Sequence, residues 1–196
     1  MTNCQHVNIE DTKEQIYTFT IGDKPQWFVM RDLKRANTKL PAYKMLSDMN
    51  FEIFTPMTWK VRLVNGKRVP LKVPFMQDLL FVHVSRRMLD PVVERVSTLQ
   101  YRFMRDGLRT PMTVRDADME RFIRAVEAAD NPKFYAPDDI KPSMIGKTVR
   151  IIGGPLNNYV GKLQKIQGSK VKRLFVSLSN LLTASVEVNP DYIQVL

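Results

Sequence analysis

The sequence predicts an α+β chain in two parts: an antiparallel sheet flanked by helices over residues 25–129, then a small β-barrel over residues 144–196. Three observations carry this. Strand-like and helix-like stretches follow one another as β-α-β-β-α-β-α up to residue 129, an order that fits a split β-α-β sandwich. Residues 130–143 hold Pro132, Pro137 and Pro142, several charges and no apolar period, which marks a linker. Beyond it only short strand-like runs remain, separated by Gly153-Gly154-Pro155 and Gly168-Ser169, and about five strands of this kind close most simply as a barrel.

The first 24 residues are polar and mixed in charge and read as an extension, with one alternating patch, Gln15 to Ile21, as a candidate added strand. Gln26 to Arg31 is a short strand by composition. Ala42, Met45, Leu46 and Met49 recur at the spacing of one buried helical face, with Pro41 fitting the first turn. Phe51 to Trp59 is expected as the second strand, and Asn65-Gly66 between two β-forming runs is a hairpin signal. Pro74 to Val84 is the most apolar run of the chain. Its core, Leu79 to Val84, is expected to be a central strand packed on one face and partly covered on the other. Asp90-Pro91 reads as an N-cap and first turn, with Val92, Val93 and Val96 facing inward. Leu99 to Arg105 alternates as a further strand closed by an Asp106-Gly107 turn. Thr113-x-x-Asp116 resembles a capping box before a helix that carries Met119, Phe122, Ile123 and Val126 on one face.

The 196 residues hold 30 Lys and Arg against 20 Asp and Glu, a formal charge of +10 that points to an anionic partner. From Pro25 to Pro74 the cations run from Arg31 to Lys72 with only Asp32, Asp48 and Glu52 against them. From Lys141 to Phe175 the basic residues, Arg173 the last of them, meet no acid, which is read as charge on loops or a face toward RNA. No run of eighteen apolar residues occurs, so no membrane span is expected; nor is a secretory signal, since the N-terminus lacks a basic region followed by an apolar one. A single cysteine forbids an internal disulfide and suits a reducing cytoplasm.

Catalysis finds little support. Cys4 and His6 lie in the extension, far in sequence from His83, which alternates with valines on a strand. Asp116 and Asp118 open a helix, where carboxylates complement the dipole. Gly153-Gly154-Pro155 lacks the Gly-Lys-Ser/Thr of a phosphate loop, and no Cys and His cluster has zinc spacing. The expectation is a non-enzyme with no cofactor and no metal. The more telling pair is Phe75 and Met76: large apolar residues at the entry to a strand are either local core or an exposed docking patch.

Ile145-Gly146-Lys147-Thr148-Val149-Arg150-Ile151-Ile152-Gly153-Gly154-Pro155-Leu156, followed by Val160-Gly161-Lys162-Leu163, resembles a KOW motif, in which a Gly stands about six residues after the Gly-Pro. Upstream, Trp27-Phe28-Val29, the helix behind it, Phe51 to Pro56, the basic hairpin and Pro74 to Val82 resemble the NusG N-terminal domain, or NGN domain. The chain from about residue 25 to its end is thus similar to bacterial NusG-like transcription elongation and antitermination factors. Its extension and divergent motif look like those of operon-restricted paralogues of the RfaH and UpxY kind.

The resemblance implies an NGN sandwich, a linker and an SH3-like barrel in a cytoplasmic protein. It implies that Phe75, Met76 and Met119 contact the clamp helices of RNA polymerase. It places Lys34, Arg35, Arg86 and Arg87 toward non-template DNA near the transcription bubble. Gly153, Gly154, Pro155 and Gly161 carry the KOW turn, whose barrel recruits a ribosomal protein or Rho. The alternative is a KOW protein that packs on ribosomal RNA. One departure stands out: Gln77-Asp78 follows the apolar pair where the family has Pro and a Gly or small polar residue, so a different turn is expected there.

Overall fold

Alternation along two apolar strands organises the N-terminal half. In the computed structural model, which describes residues 24–34, 40–105 and 108–196, β1 (Gln26–Asp32) pairs antiparallel with β5 (Leu80–Val84), Phe28 opposite Val82 and Met30 opposite Leu80. β2 (Glu52–Phe54) flanks β5, while β6 (Leu99–Tyr101) and β7 (Thr113–Val114) pair in succession with the other edge of β1.

Because side chains alternate, the sheet sends two apolar sets to opposite faces. Phe28, Met30, Leu80, Val82 and Val84 pack beneath α1 (Ala42–Asp48) and α2 (Arg86–Arg95), through Ala42, Leu46, Leu89 and Val92. Trp27, Val29, Phe81 and Val114 pack beneath α3 (Asp116–Glu127), through Met119, Phe122 and Ala125. β5 is therefore internal, and both of its faces are covered, not one face and part of the other.

Several local expectations are corrected. The run expected as one strand from Phe51 to Trp59 breaks at the buried Pro56, whose carbonyl accepts the Phe75 N–H at 2.8 Å. β3 (Met57–Val64) then departs as a hairpin with β4 (Lys67–Pro74), turning at Asn65-Gly66 with positive φ at both residues. In α1 only Ala42 and Leu46 are buried; Met49 is exposed because the helix ends at Asp48. α2 starts at Arg86 behind Ser85, so Pro91 sits inside it, on its exposed side, and Asp90 instead accepts the Tyr101 hydroxyl at 2.8 Å. Burial of Leu89 accounts for the extra turn. Thr113 caps nothing: it lies in β7 opposite Phe28, and the N-cap of α3 is Arg115. The strand from Leu99 shortens to Tyr101, with an isolated bridge between Phe103 and Pro111.

The C-terminal half is a six-stranded antiparallel sheet in the order β13-β9-β10-β11-β12-β8. Five of its strands, β9 (Ile145–Ile151), β10 (Val160–Gln164), β11 (Lys172–Leu178), β12 (Leu182–Val188) and β13 (Ile193–Val195), overlap the runs expected from the sequence at Thr148–Ile152, Lys162–Ile166, Arg173–Ser177, Ser185–Val188 and Tyr192–Val195. The sixth, β8 (Lys133–Tyr135), comes from the segment read as a linker and pairs with β12, Phe134 opposite Ala184. Arg173 fixes it. Its buried guanidinium donates to the Asn131 carbonyl (2.7 Å), the Ser185 hydroxyl (2.9 Å) and Glu187 (2.6 Å). Gln164 extends the network, accepting from the Ser185 hydroxyl and donating to the Tyr135 hydroxyl. Arg173 is therefore not part of the surface charge. The extension and the Asp106-Gly107 turn lie outside the described residues.

The entry to α1 is held by the buried Asp32, whose two carboxylate oxygens accept the Lys34 N–H (2.9 Å) and the Ala42 N–H (2.7 Å). It acts as a capping carboxylate supplied from β1. Asp32→Ala should cost about 1–2 kcal/mol in urea unfolding, with Asp32→Asn falling between the two because its one acceptor oxygen keeps one of the bonds.

Candidate docking site

The described residues include no cluster of His, Cys, Asp or Glu arranged for a metal ion, and no helix long and apolar enough to cross a membrane. The feature that stands out is the apolar layer under α3, which does not end at the N-terminal sheet. It continues through Phe134, Val149, Ile151, Leu174 and Val176 of the C-terminal sheet and Leu156 of the turn between β9 and β10. Helix α3 touches β1 on one side and β11 and β12 on the other.

Phe75, Met76 and Met119 lie in this shared layer. Met119 is fully buried. Phe75 and Met76 are half-buried against it, and the Phe75 ring centroid stands 5.8 Å from that of Phe134 on β8. The three residues thus belong to one seam, and side chains of the C-terminal sheet cover it. After Met76 the chain turns at Gln77-Asp78, and the Leu79 N–H reaches back to the Met76 carbonyl at 3.4 Å. The departure at Asp78 has a local reason. Its carboxylate accepts from Arg102 at 3.1 Å and lies 3.7 Å from Arg31, so a cation of β1 and one just past β6 hold the turn.

The glycine turn of the C-terminal sheet reaches the same seam. Gly153 and Gly154 have positive φ and lie against the Tyr192 ring, and the Gly153 N–H donates to Asn157 Oδ1 at 2.7 Å. Pro155 is exposed, and the turn directs Leu156 into the core. A Cβ on Gly161 would meet the Tyr159 ring at 2.6 Å and the Phe175 carbonyl at 3.2 Å, so this position excludes a side chain. Tyr159 in turn lies under Arg121 of α3, guanidinium to ring centroid 5.9 Å, a cation–π contact across the seam.

The proposed nucleic-acid residues do not form one patch. Lys34 is half-buried and its ammonium donates to the Leu40 carbonyl at 3.0 Å, so its charge is partly spent within its own loop. Arg35 lies outside the described residues. Arg86 and Arg87 are exposed on the first turn of α2, where Arg86 pairs with Asp90 at 3.3 Å. His83 is on a strand face as expected. It stacks on Trp27 at 4.9 Å, with Nδ1 2.6 Å from Glu52 and Nε2 3.8 Å from Asp116. The Asp116 carboxylate at the head of α3 thus lies beside the His83 ring of β5, besides complementing the helix dipole.

Sequence reasoning missed the cover over the seam, the Arg121–Tyr159 contact and the Arg173 network. The Arg173 network had a faint signal: an arginine at the head of an otherwise apolar strand.

The described residues thus form an α+β chain in two parts joined by one shared apolar layer. Residues 25–123, half of the 196-residue chain, match the family model described as "Transcription termination factor nusG", so the chain belongs to the NusG family. Members of that family are transcription factors of the elongation and termination stage, not enzymes. A solved structure from Thermotoga maritima, described as "Domain interaction in Thermotoga maritima NusG", aligns over 87% of this chain and 97% of its own, at 14% identity and a TM-score of 0.44. No curated protein matches.

Burial is the leading cause that lifts the Tyr159 hydroxyl above the usual tyrosine range, opposed by a backbone hydrogen bond at Ser177 and by Arg121. Burial also lifts Tyr101, helped by its hydrogen bond to Asp90 and that carboxylate's charge. Unfolded tyrosines ionise near pH 10, so above about that pH the unfolded chain sheds protons that the folded chain keeps, and stability falls as pH rises. An ultraviolet titration should therefore show two late tyrosines, and Tyr159→Phe should remove one of them and flatten the alkaline loss of stability.

Proposed function

We infer that the chain is a transcription elongation and antitermination factor. Its N-terminal half would dock RNA polymerase at the clamp helices through the face around Phe75, Met76 and Met119. The observation that carries this reading is the shared seam: all three side chains sit in one apolar layer whose other wall is a separate sheet. A face built this way suits an apolar helix pair, and methionines adapt to such a groove.

In this reading the C-terminal sheet is a KOW barrel that occupies the polymerase face until it is displaced. Docking then competes with the closed arrangement, and polymerase favours the open one only by the difference in its affinity for the two. The displaced barrel, tethered by residues 128–132 between α3 and β8, would be free to recruit a ribosomal protein or Rho at high effective concentration. Positive charge on Lys34, Arg35, Arg86 and Arg87 would face DNA, positioning the factor without reading sequence. Restriction to particular operons, as in RfaH-like and UpxY-like paralogues, agrees with the extension and the altered turn at Asp78.

Co-purification with RNA polymerase from lysate tests this. Met76→Glu should weaken recovery roughly tenfold, the effect of about 1.4 kcal/mol, with urea unfolding of the N-terminal half little changed. Arg121→Ala should act oppositely. Loss of an exposed cation–π contact of about 0.5–1 kcal/mol loosens the seam and should raise polymerase affinity about two- to fivefold. Recovery of ribosomal subunits without polymerase would overturn the assignment. If binding loss in Met76→Glu merely tracked unfolding, Met76 would be core and not contact.

A further inference from the structure

The β3–β4 hairpin is the least explained element of the fold. It pairs only with itself, as a two-stranded sheet apart from the other two. Such a hairpin gains little from its own burial. It nevertheless exposes Trp59 (66%), Val61 (67%) and Leu63 (71%), which alternate along β3 and so share one face. Across the ladder on that face stand Lys72 opposite Trp59, Pro70 opposite Val61 and Arg68 opposite Leu63. Residues in direct register lie about 5 Å apart, so each end of the apolar row has a cation beside it. The row from Trp59 to Leu63 is about 13 Å long at the usual strand rise. The opposite face adds Lys60 and Lys67; the hairpin itself carries no Asp or Glu between Glu52 and Asp78, while Glu127 and Asp130 line the cavity that Trp59 and Lys72 share with the end of α3.

We propose that this face of the hairpin is a platform for single-stranded DNA, with Trp59 stacking on a base and Lys72 and Arg68 holding flanking phosphates. The charge favours an anion, and an exposed indole with one cation beside it and a second at the far end of the apolar row suits a polyanion that also offers flat apolar rings. Duplex DNA hides those rings. RNA brings a 2′-hydroxyl, and the row from Trp59 to Leu63 and its partners Lys72, Pro70 and Arg68 offer it no side-chain acceptor, so burying it against Val61 and Leu63 is penalised. The proposal deepens the DNA contact inferred above by moving it to a named element, but it does not rest on polymerase docking. Trp59 is exposed while the seam is closed, so the platform is available before any barrel displacement.

The test uses the full chain alone, with one mixed-sequence oligonucleotide as single-stranded DNA, as RNA and as duplex. The chain has two tryptophans, and Trp27 is buried against His83, so fluorescence quenching reports Trp59. Single-stranded DNA should quench it and bind more tightly than RNA or duplex. Trp59→Ala should weaken binding about 5- to 150-fold and Trp59→Phe far less, the range expected for loss of one stacked base. Lys72→Gln with Arg68→Gln should lower the salt slope by about 1.4, from two lost phosphate contacts on a single strand. Urea midpoints for each variant confirm the fold. Duplex or RNA binding as tight as single-stranded DNA, or an unchanged affinity in Trp59→Ala, would overturn the proposal. So would an absence of DNA binding combined with loss of polymerase recovery in the hairpin variants, which would assign the face to an acidic protein surface. Polymerase recovery lost in Met76→Glu alone bears on the seam and not on the hairpin.

Discussion

The apolar layer beneath α3 is shared between two sheets, and that sharing constrains everything else. Trp27, Val29 and Phe81 need cover on the face that α1 and α2 do not reach. A single twelve-residue helix supplies Met119, Phe122 and Ala125, and the strands of the other sheet complete the burial. Apolar burial is worth roughly 25 cal/mol per Å² and has no directional preference, so a partner with a similar apolar face can replace one wall of such a layer. Under the proposed docking, alternative occupancy would follow from how the core is divided. A core confined to the N-terminal half would have left nothing to exchange.

The closed arrangement is held by contacts of modest individual strength: a ring contact between Phe75 and Phe134, a cation–π contact between Arg121 and Tyr159, and aliphatic packing around them. None of these is a buried ion pair. The strongest polar network, around Arg173, lies inside the C-terminal sheet and stabilises that sheet, not the seam. This distribution permits the two halves to separate without either losing its internal hydrogen bonds. A competitor then pays for the apolar seam alone, and its apparent affinity is reduced by the fraction of chains that are closed.

Strand alternation, the Asn65-Gly66 hairpin and the helix carrying Met119 and Phe122 were legible in the sequence because each depends on neighbours within one or two turns of chain. The misread elements depend on distant partners. β8 lies in a proline-bearing segment whose composition says linker; it is a strand because β12, some fifty residues later, offers an edge and because Arg173 reaches Asn131. The early start of α2 goes with burial of Leu89 in the apolar cluster beneath the sheet, which outweighs the proline inside the helix. Phe75 and Met76 could be flagged as an apolar pair at a strand entry. That Phe134 covers them required knowing that the intervening segment folds back.

The two candidate surfaces differ in when they can act. The hairpin projects its cations and its indole to solvent, whereas the seam is covered and would act only if the halves part. Exposed charge raises encounter rates with a polyanion, and a buried apolar face contributes only after opening. A factor with this division would meet nucleic acid first and its protein partner second. The order matters energetically. A chain already held near its target opens at high effective concentration of that target, so a transient separation of the halves is enough for docking to compete. Opening in free solution would meet the partner only at its bulk concentration, and the seam would usually reclose before capture.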